Sequence, residues 1–103
     1  MTQPLNRIEN MNNKQVIDAF LCGHVGKSSN GNLRSLGDKL INYNTCIAER
    51  ANGRIIVNTT RYSVSTSKIQ CWTLGAITIL VGDNFAKVDD VPMNTASLSR
   101  FIK

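Results

Sequence analysis

The chain has 103 residues, 42% of them hydrophobic, which gives room for one domain with one modest core and no second domain. Its net charge of +5 is unevenly spread: Lys27, Arg34, Lys39, Arg50, Arg54, Arg61 and Lys68 face only Asp38 and Glu49 within one segment, and that segment holds the whole excess. Such a concentration draws anions (nucleic acid, acidic proteins, phosphates), whereas the longest apolar-leaning run, Trp72 to Val81, is about half the roughly 20 residues of a membrane helix.

Residues 1–12 are polar, contain Pro4 and read as a flexible N-terminal arm, leaving 13–103 as a single domain. Val16, Ile17, Phe20 and Leu21 then recur at helical spacing, with Asn13 placed to cap and Gly23 to stop a short amphipathic helix. Residues 23–37 carry four glycines and two asparagines and read as one long loop.

The strongest local signal is Asn52-Gly53, the preferred two-residue hairpin turn, because both positions take positive φ. It predicts strands over 39–51 and 54–64, with Ala51 facing Arg54, Ala48 facing Val57 and Tyr43 facing Tyr62. The hairpin is apolar on both faces near its turn and polar toward its open end, so the open end should form a rim. Ser65 or Thr66 should cap a short helix that Gly75 ends, with a continuing strand as the alternative for 65–74. Ala76–Val81 reads as a buried strand, Phe85–Val91 as a strand paired back onto it, and Asn94 or Thr95 as the cap of a short helix that turns Leu98, Phe101 and Ile102 inward. The expected fold is α+β, a small, mainly antiparallel four-stranded sheet with two or three short helices.

The catalytic motifs that suggest themselves are broken. Gly26-Lys27-Ser28 would need a glycine where Leu21 stands to be a phosphate loop. Cys22-x-His24 has no second pair to complete a zinc site, and Asp89 and Asp90 point to opposite faces of a strand. Cys22, Cys46 and Cys71 form no close pair, which predicts free, buried thiols, a reducing compartment and a cytoplasmic protein. The expectation is therefore a protein without enzymatic activity, metal or cofactor.

Thr59–Lys68 combines six Ser and Thr hydroxyls, a tyrosine, an arginine and a lysine beside a helix start, the makeup of an anion site. With the neighbouring bases, the candidate contact residues are Lys39, Tyr43, Arg50, Arg54, Thr60, Arg61, Tyr62, Ser65, Ser67 and Lys68.

The run Ser35-x-Gly37-Asp38-x-Leu40-x-x-Tyr43-x-Thr45-x-Ile47-Ala48, followed by Asn58-Thr59-Thr60-x-Tyr62-Ser63-x-Ser65-Thr66-Ser67-Lys68-x-Gln70, resembles a domain family of unknown function encoded by bacteriophages and prophages. The resemblance covers about residues 33–70 and implies a phage context, with the host cytoplasm as the place of action. Small proteins there block or redirect host machinery. The leading expectation is thus a binding protein that modulates or inhibits a host protein or ribonucleoprotein complex, including a defence complex such as CRISPR, through a basic hairpin rim. The alternative is direct, low-specificity nucleic-acid binding. No membrane contact is expected, and an uncovered hairpin edge offers a route to a homodimer.

Overall fold

The structure is a computed structural model and describes residues 11–101. The proposed arm lies outside these residues except for Met11 and Asn12, and so does Ile102.

α1 (Asn13–Leu21) forms as its spacing predicts, burying Val16, Ile17, Ala19 and Phe20 on one face. The cap is Asn12 rather than Asn13. Its side chain accepts from the Gln15 N–H at 2.8 Å while the Gln15 side chain accepts from the Asn12 N–H at 2.9 Å, a reciprocal capping box. Gly23, at φ +77, turns the chain out of the helix.

The expected long loop contains two short strands, β1 (Val25–Lys27) and β2 (Leu33–Leu36), paired antiparallel with Lys27 opposite Arg34. Gly26 of the apparent phosphate motif lies inside β1, beneath α1. A Cβ there would stand 2.9 Å from Met11 Sδ and 3.2 Å from Ala19 Cβ, so that glycine serves helix-on-strand packing. The expected strand 39–51 is two strands, β3 (Lys39–Asn42) and β4 (Thr45–Ala51), reversed at Tyr43-Asn44. β4 then meets β5 (Arg54–Asn58) through Asn52-Gly53, with Ala51 opposite Arg54 and Ala48 opposite Val57 as the turn dictates. β5 stops at Asn58, so Tyr62 does not pair with Tyr43.

The largest departure is α2 (Val64–Val81), which is capped by Ser63, runs through Gly75 and absorbs the segment expected to be a strand. Thr66, Ile69, Thr73 and Ile77 are buried at three- and four-residue intervals, a helical period that continues across Gly75. β6 (Phe85–Val88) consequently pairs parallel to β5 through this helical crossover, rather than back onto residues 76–81. Among the described residues the result is α+β with a six-stranded mixed sheet in sequential order and two α-helices, larger than the four strands expected.

Both helices cover one sheet face, where Phe20, Leu33, Leu40, Ile55, Val57, Ile69 and Ile77 form the main core. The other face is covered by the C-terminal segment, which seats Val91 and Leu98 on Ile41, Cys46, Ile56 and Val88. That segment ends in a 3-10 turn over Ser99–Phe101, where a longer helix was expected. Glu49 fastens it: the buried carboxylate accepts from the Leu98 N–H and from Ser97 Oγ at 3.1 Å. A buried carboxylate held in this way fixes an irregular segment that apolar contacts alone would leave free to slide.

Candidate functional site

Residues 59–63 connect β5 to α2, and the side chains of Asn58, Thr59, Thr60 and Tyr62 are tied into the fold, while Arg61 is exposed. Asn58, fully buried, donates from Nδ2 to the Cys46 carbonyl and to Tyr62 Oη, both at 3.0 Å, and accepts from the Thr60 N–H at 2.9 Å. Thr60 Oγ1 accepts from the Val91 N–H at 2.9 Å, and Tyr62 Oη donates to the Val91 carbonyl. Thr59 Oγ1 donates to the Val88 carbonyl, and Gln70 ties the loop to α2 through the Asn58 and Thr60 carbonyls. Thr60 and Tyr62, expected as contact residues, are thus part of the scaffold that joins β5, α2 and the C-terminal segment.

Most of these bases lie at two ends of the sheet, separated by the seven residues of β4, about 20 Å of strand. At the Asn52-Gly53 end lie Lys39, Arg50 and Arg54. Lys39 stands opposite Glu49 in the β3–β4 register. Arg50 donates to the Gly37 carbonyl at 3.0 Å and to the Phe20 and Leu21 carbonyls at 3.0 and 3.3 Å, with its guanidinium 4.9 Å from the Phe20 ring centre. It satisfies the C-terminal carbonyls of α1, a structural task. Arg54 is exposed beside the turn. Arg61 and Ser67 lie on a separate flank of α2, in a shallow hollow shared with Gln70, Cys71 and Leu74.

The opposite end is different. Tyr43 occupies the first turn position between β3 and β4 with φ +58, a conformation that bulky residues rarely adopt. It is clamped there: its N–H donates to the Asn32 carbonyl at 2.7 Å, its carbonyl accepts from Arg34 Nη2 at 2.8 Å, and its hydroxyl accepts from Asn32 Nδ2 at 3.3 Å. The residue is nevertheless 54% exposed.

Three adjoining hollows meet at this residue. The first, of about 580 Å³, lies between the Tyr43 turn and the start of α2 and includes Asn13, Asn32, Asn42, Ser65, Lys68 and Trp72 in its lining. The second runs beneath Tyr43 toward Met93 and Asn94. The third continues past Asn32 to Arg34 and Lys27. No Asp or Glu among the described residues lines any of the three.

Several polar groups in this cleft are unengaged. Lys68 Nζ and the carboxamide of Asn13 make no hydrogen bond to any described residue, while Ser65 Oγ meets only Ser63 Oγ, at 3.2 Å. Asn42 is 5% exposed; its Nδ2 donates to Thr66 Oγ1 at 3.0 Å, and its Oδ1 accepts from no described residue. Ser63 Oγ accepts from the Thr66 N–H, which leaves the Val64 and Ser65 N–H groups without an acceptor within the helix. No family model, curated protein or solved structure matches this chain. What the cleft does therefore rests on its own side chains.

Of the ten expected contact residues, Tyr43, Tyr62, Ser65 and Lys68 line the cleft. Asn13, Lys27, Asn32, Arg34, Asn42 and Trp72 line it as well and were not singled out from the sequence. Lys27 and Arg34 were visible in the charge count; Asn13 read as a helix cap, Asn32 as part of a loop, Asn42 as a strand residue toward the open end of the hairpin, and Trp72 as part of a short helix.

No group of three or more His, Cys, Asp or Glu among the described residues is placed to share a metal ion. No helix in the described residues is long and apolar enough to cross a membrane. Cys46 is buried and its thiol is pushed up to about 12 by that burial and by the nearby Glu49 carboxylate. Cys22 and Cys71, expected to be buried, are exposed.

Proposed function

We propose that this protein acts by stoichiometric binding and not by catalysis, and that the cleft around Tyr43 is its contact surface for an anionic partner. The observation that carries this reading is the cleft's one-sided chemistry. Lys27, Arg34 and Lys68 converge on adjoining hollows that contain no carboxylate among the described residues. Positive side chains beside concave, low-dielectric walls focus field lines and raise the local concentration of anions. A merely solubilising basic surface would be interspersed with acids, as the exposed Asp38 is at the Asn52-Gly53 end.

The same cleft supports the leading expectation, a phage-type protein that modulates a host complex. Its rim exposes Val64 (85%) and Met93 (69%) next to Tyr43 and Trp72, apolar and aromatic groups of the kind that anchor protein interfaces. Nucleic-acid binding is favoured by the carboxamides and rings inside it. Both readings place the contact at one site.

The test is purification of the full chain from the cells that express it, with bound protein and bound nucleic acid assayed separately. Recovery of the partner should fall sharply in Lys68→Glu and stay near the unsubstituted level in Arg54→Glu. Equal recovery by both variants would move the contact surface away from the cleft.

A further inference from the structure

We infer that the ligand of this cleft is single-stranded nucleic acid, held with an unpaired base on the Tyr43 ring, its edge toward the asparagine side chains, and its phosphates on Lys68 and on Arg34 and Lys27. This inference rests on the proposed binding role of the cleft and specifies its occupant.

Three observations favour this ligand over an acidic peptide or a bare anion. Charge alone would suit all of them, but carboxamides both donate and accept, which matches base edges rather than carboxylates. Asn13 offers a carboxamide that bonds to no described residue, and Asn42, whose Nδ2 is taken by Thr66 Oγ1, offers its Oδ1 from a residue only 5% exposed. Tyr43 offers a ring face at the meeting point of all three hollows, and aromatic rings hold bases of any identity by stacking. The basic groups lie on both sides of that ring, Lys68 in one hollow and Arg34 with Lys27 in another, so a strand crossing Tyr43 meets a cation before and after the stacked base.

Single strands are specified by shape. The amides lie inside a recess, which paired bases stacked in a duplex cannot enter; a base must be splayed out to reach them. The backbone conformation of Tyr43 points the same way. A residue held at φ +58 by hydrogen bonds to Asn32 and Arg34, half exposed and outside both core clusters, is not placed there by core packing. Strain of this kind persists where a side chain must be presented in a fixed position.

The experiment is fluorescence anisotropy on the full chain with labelled 20-nucleotide single-stranded DNA and RNA, a 20-base-pair duplex, and labelled polyglutamate of similar charge, from 50 to 200 mM NaCl. Both single strands should bind at least about tenfold tighter than duplex or polyglutamate, with a salt slope of about −2, near 0.7 for each of three phosphates. Tyr43→Gly suits the turn's dihedral angles and should fold, yet it should weaken single-strand binding about tenfold to a hundredfold. Lys68→Gln should reduce the slope by about 0.7. A DNA or RNA preference would identify which strand is the natural ligand.

Equal or tighter binding of polyglutamate, lost in Lys68→Gln, would overturn nucleic acid as the ligand while leaving the cleft as the site for an acidic protein. Single-strand binding that survives both substitutions, or no binding of any probe at 50 mM salt, would overturn the cleft itself.

Discussion

Two tight turns reverse strands at opposite ends of β4, and they are built on opposite principles. At Asn52-Gly53 both central residues have positive φ, +54 and +75, and both are residue types that accept it at little cost. At Tyr43-Asn44 the position that needs positive φ holds a tyrosine. The charges differ in the same way. Near Asn52-Gly53 the bases stand among Asp38 and Glu49, and Arg50 is bound to backbone carbonyls; around Tyr43 they stand without acids and Lys68 is unengaged. The first end is arranged for folding. At the second, the chain accepts strain and like-charge crowding that folding does not need, as the proposed contact surface would require.

This contrast can be broken by substitution. Arg50→Ala should cost the most stability, about 2–3 kcal/mol, because it strips three charge-assisted hydrogen bonds from carbonyls and the contact with Phe20. Urea unfolding would measure the loss, and the folded fraction should bind with unchanged affinity. Tyr43→Gly should do the reverse. It should raise stability by up to about 1 kcal/mol, or roughly 4–8 °C in Tm, while affinity falls. A destabilised Tyr43→Gly would mean that the ring supports the turn, and the two ends would no longer differ in kind.

Gly75→Ala sharpens the account of α2. Gly75 sits in the helix interior with no neighbour within 4 Å of where a Cβ would stand, so alanine should stabilise by about 0.5–1 kcal/mol in thermal unfolding. A pH-dependent effect belongs to Cys46. Its thiol loses its proton only near pH 12, whereas in the unfolded chain it does so near its ordinary 9.0. The native state therefore holds a proton that the unfolded state has released between those values, so this contribution to stability is full below pH 9 and falls as pH rises toward 12. Urea midpoints at pH 7, 9 and 10.5 should show that decline, and Cys46→Ala should flatten it.

Much of the fold was legible where short-range chemistry decides it. The apolar spacing of Val16, Ile17 and Phe20 located α1, and Asn52-Gly53 fixed both a turn and its register, Ala51 to Arg54 and Ala48 to Val57. What failed depended on partners distant in sequence. β1 and β2 are three and four residues long and rich in polar side chains, and they exist as strands because α1 packs on them and β3 pairs with them. Ala76–Val81 has the β-branched composition of a strand, yet Ile69, Thr73 and Ile77 continue a helical face onto the sheet, and packing overrode local propensity. The β3–β4 turn was hidden because nothing in Tyr43-Asn44 reads as a turn that needs positive φ.

The site was legible in charge and illegible in geometry. The basic segment was visible from residue counts, but which bases are engaged depends on carbonyls thirty residues away, as for Arg50 and Phe20. Thr60 and Tyr62 look like surface hydroxyls in sequence and become structural only when Val91 folds back on them. Conversely, Arg34 and Lys27 join the cleft only through the β1–β2 pairing, which composition did not reveal.

The most direct measurement is a titration of labelled single-stranded 20-mer against two charge reversals, Lys68→Glu and Arg54→Glu, at 100 mM NaCl. Net charge changes equally in both, and both sites are exposed. A tenfold or greater loss in Lys68→Glu, beside a change under about threefold in Arg54→Glu, is the expected result. Equal losses would show that binding follows total charge and that the Tyr43 end has no special role.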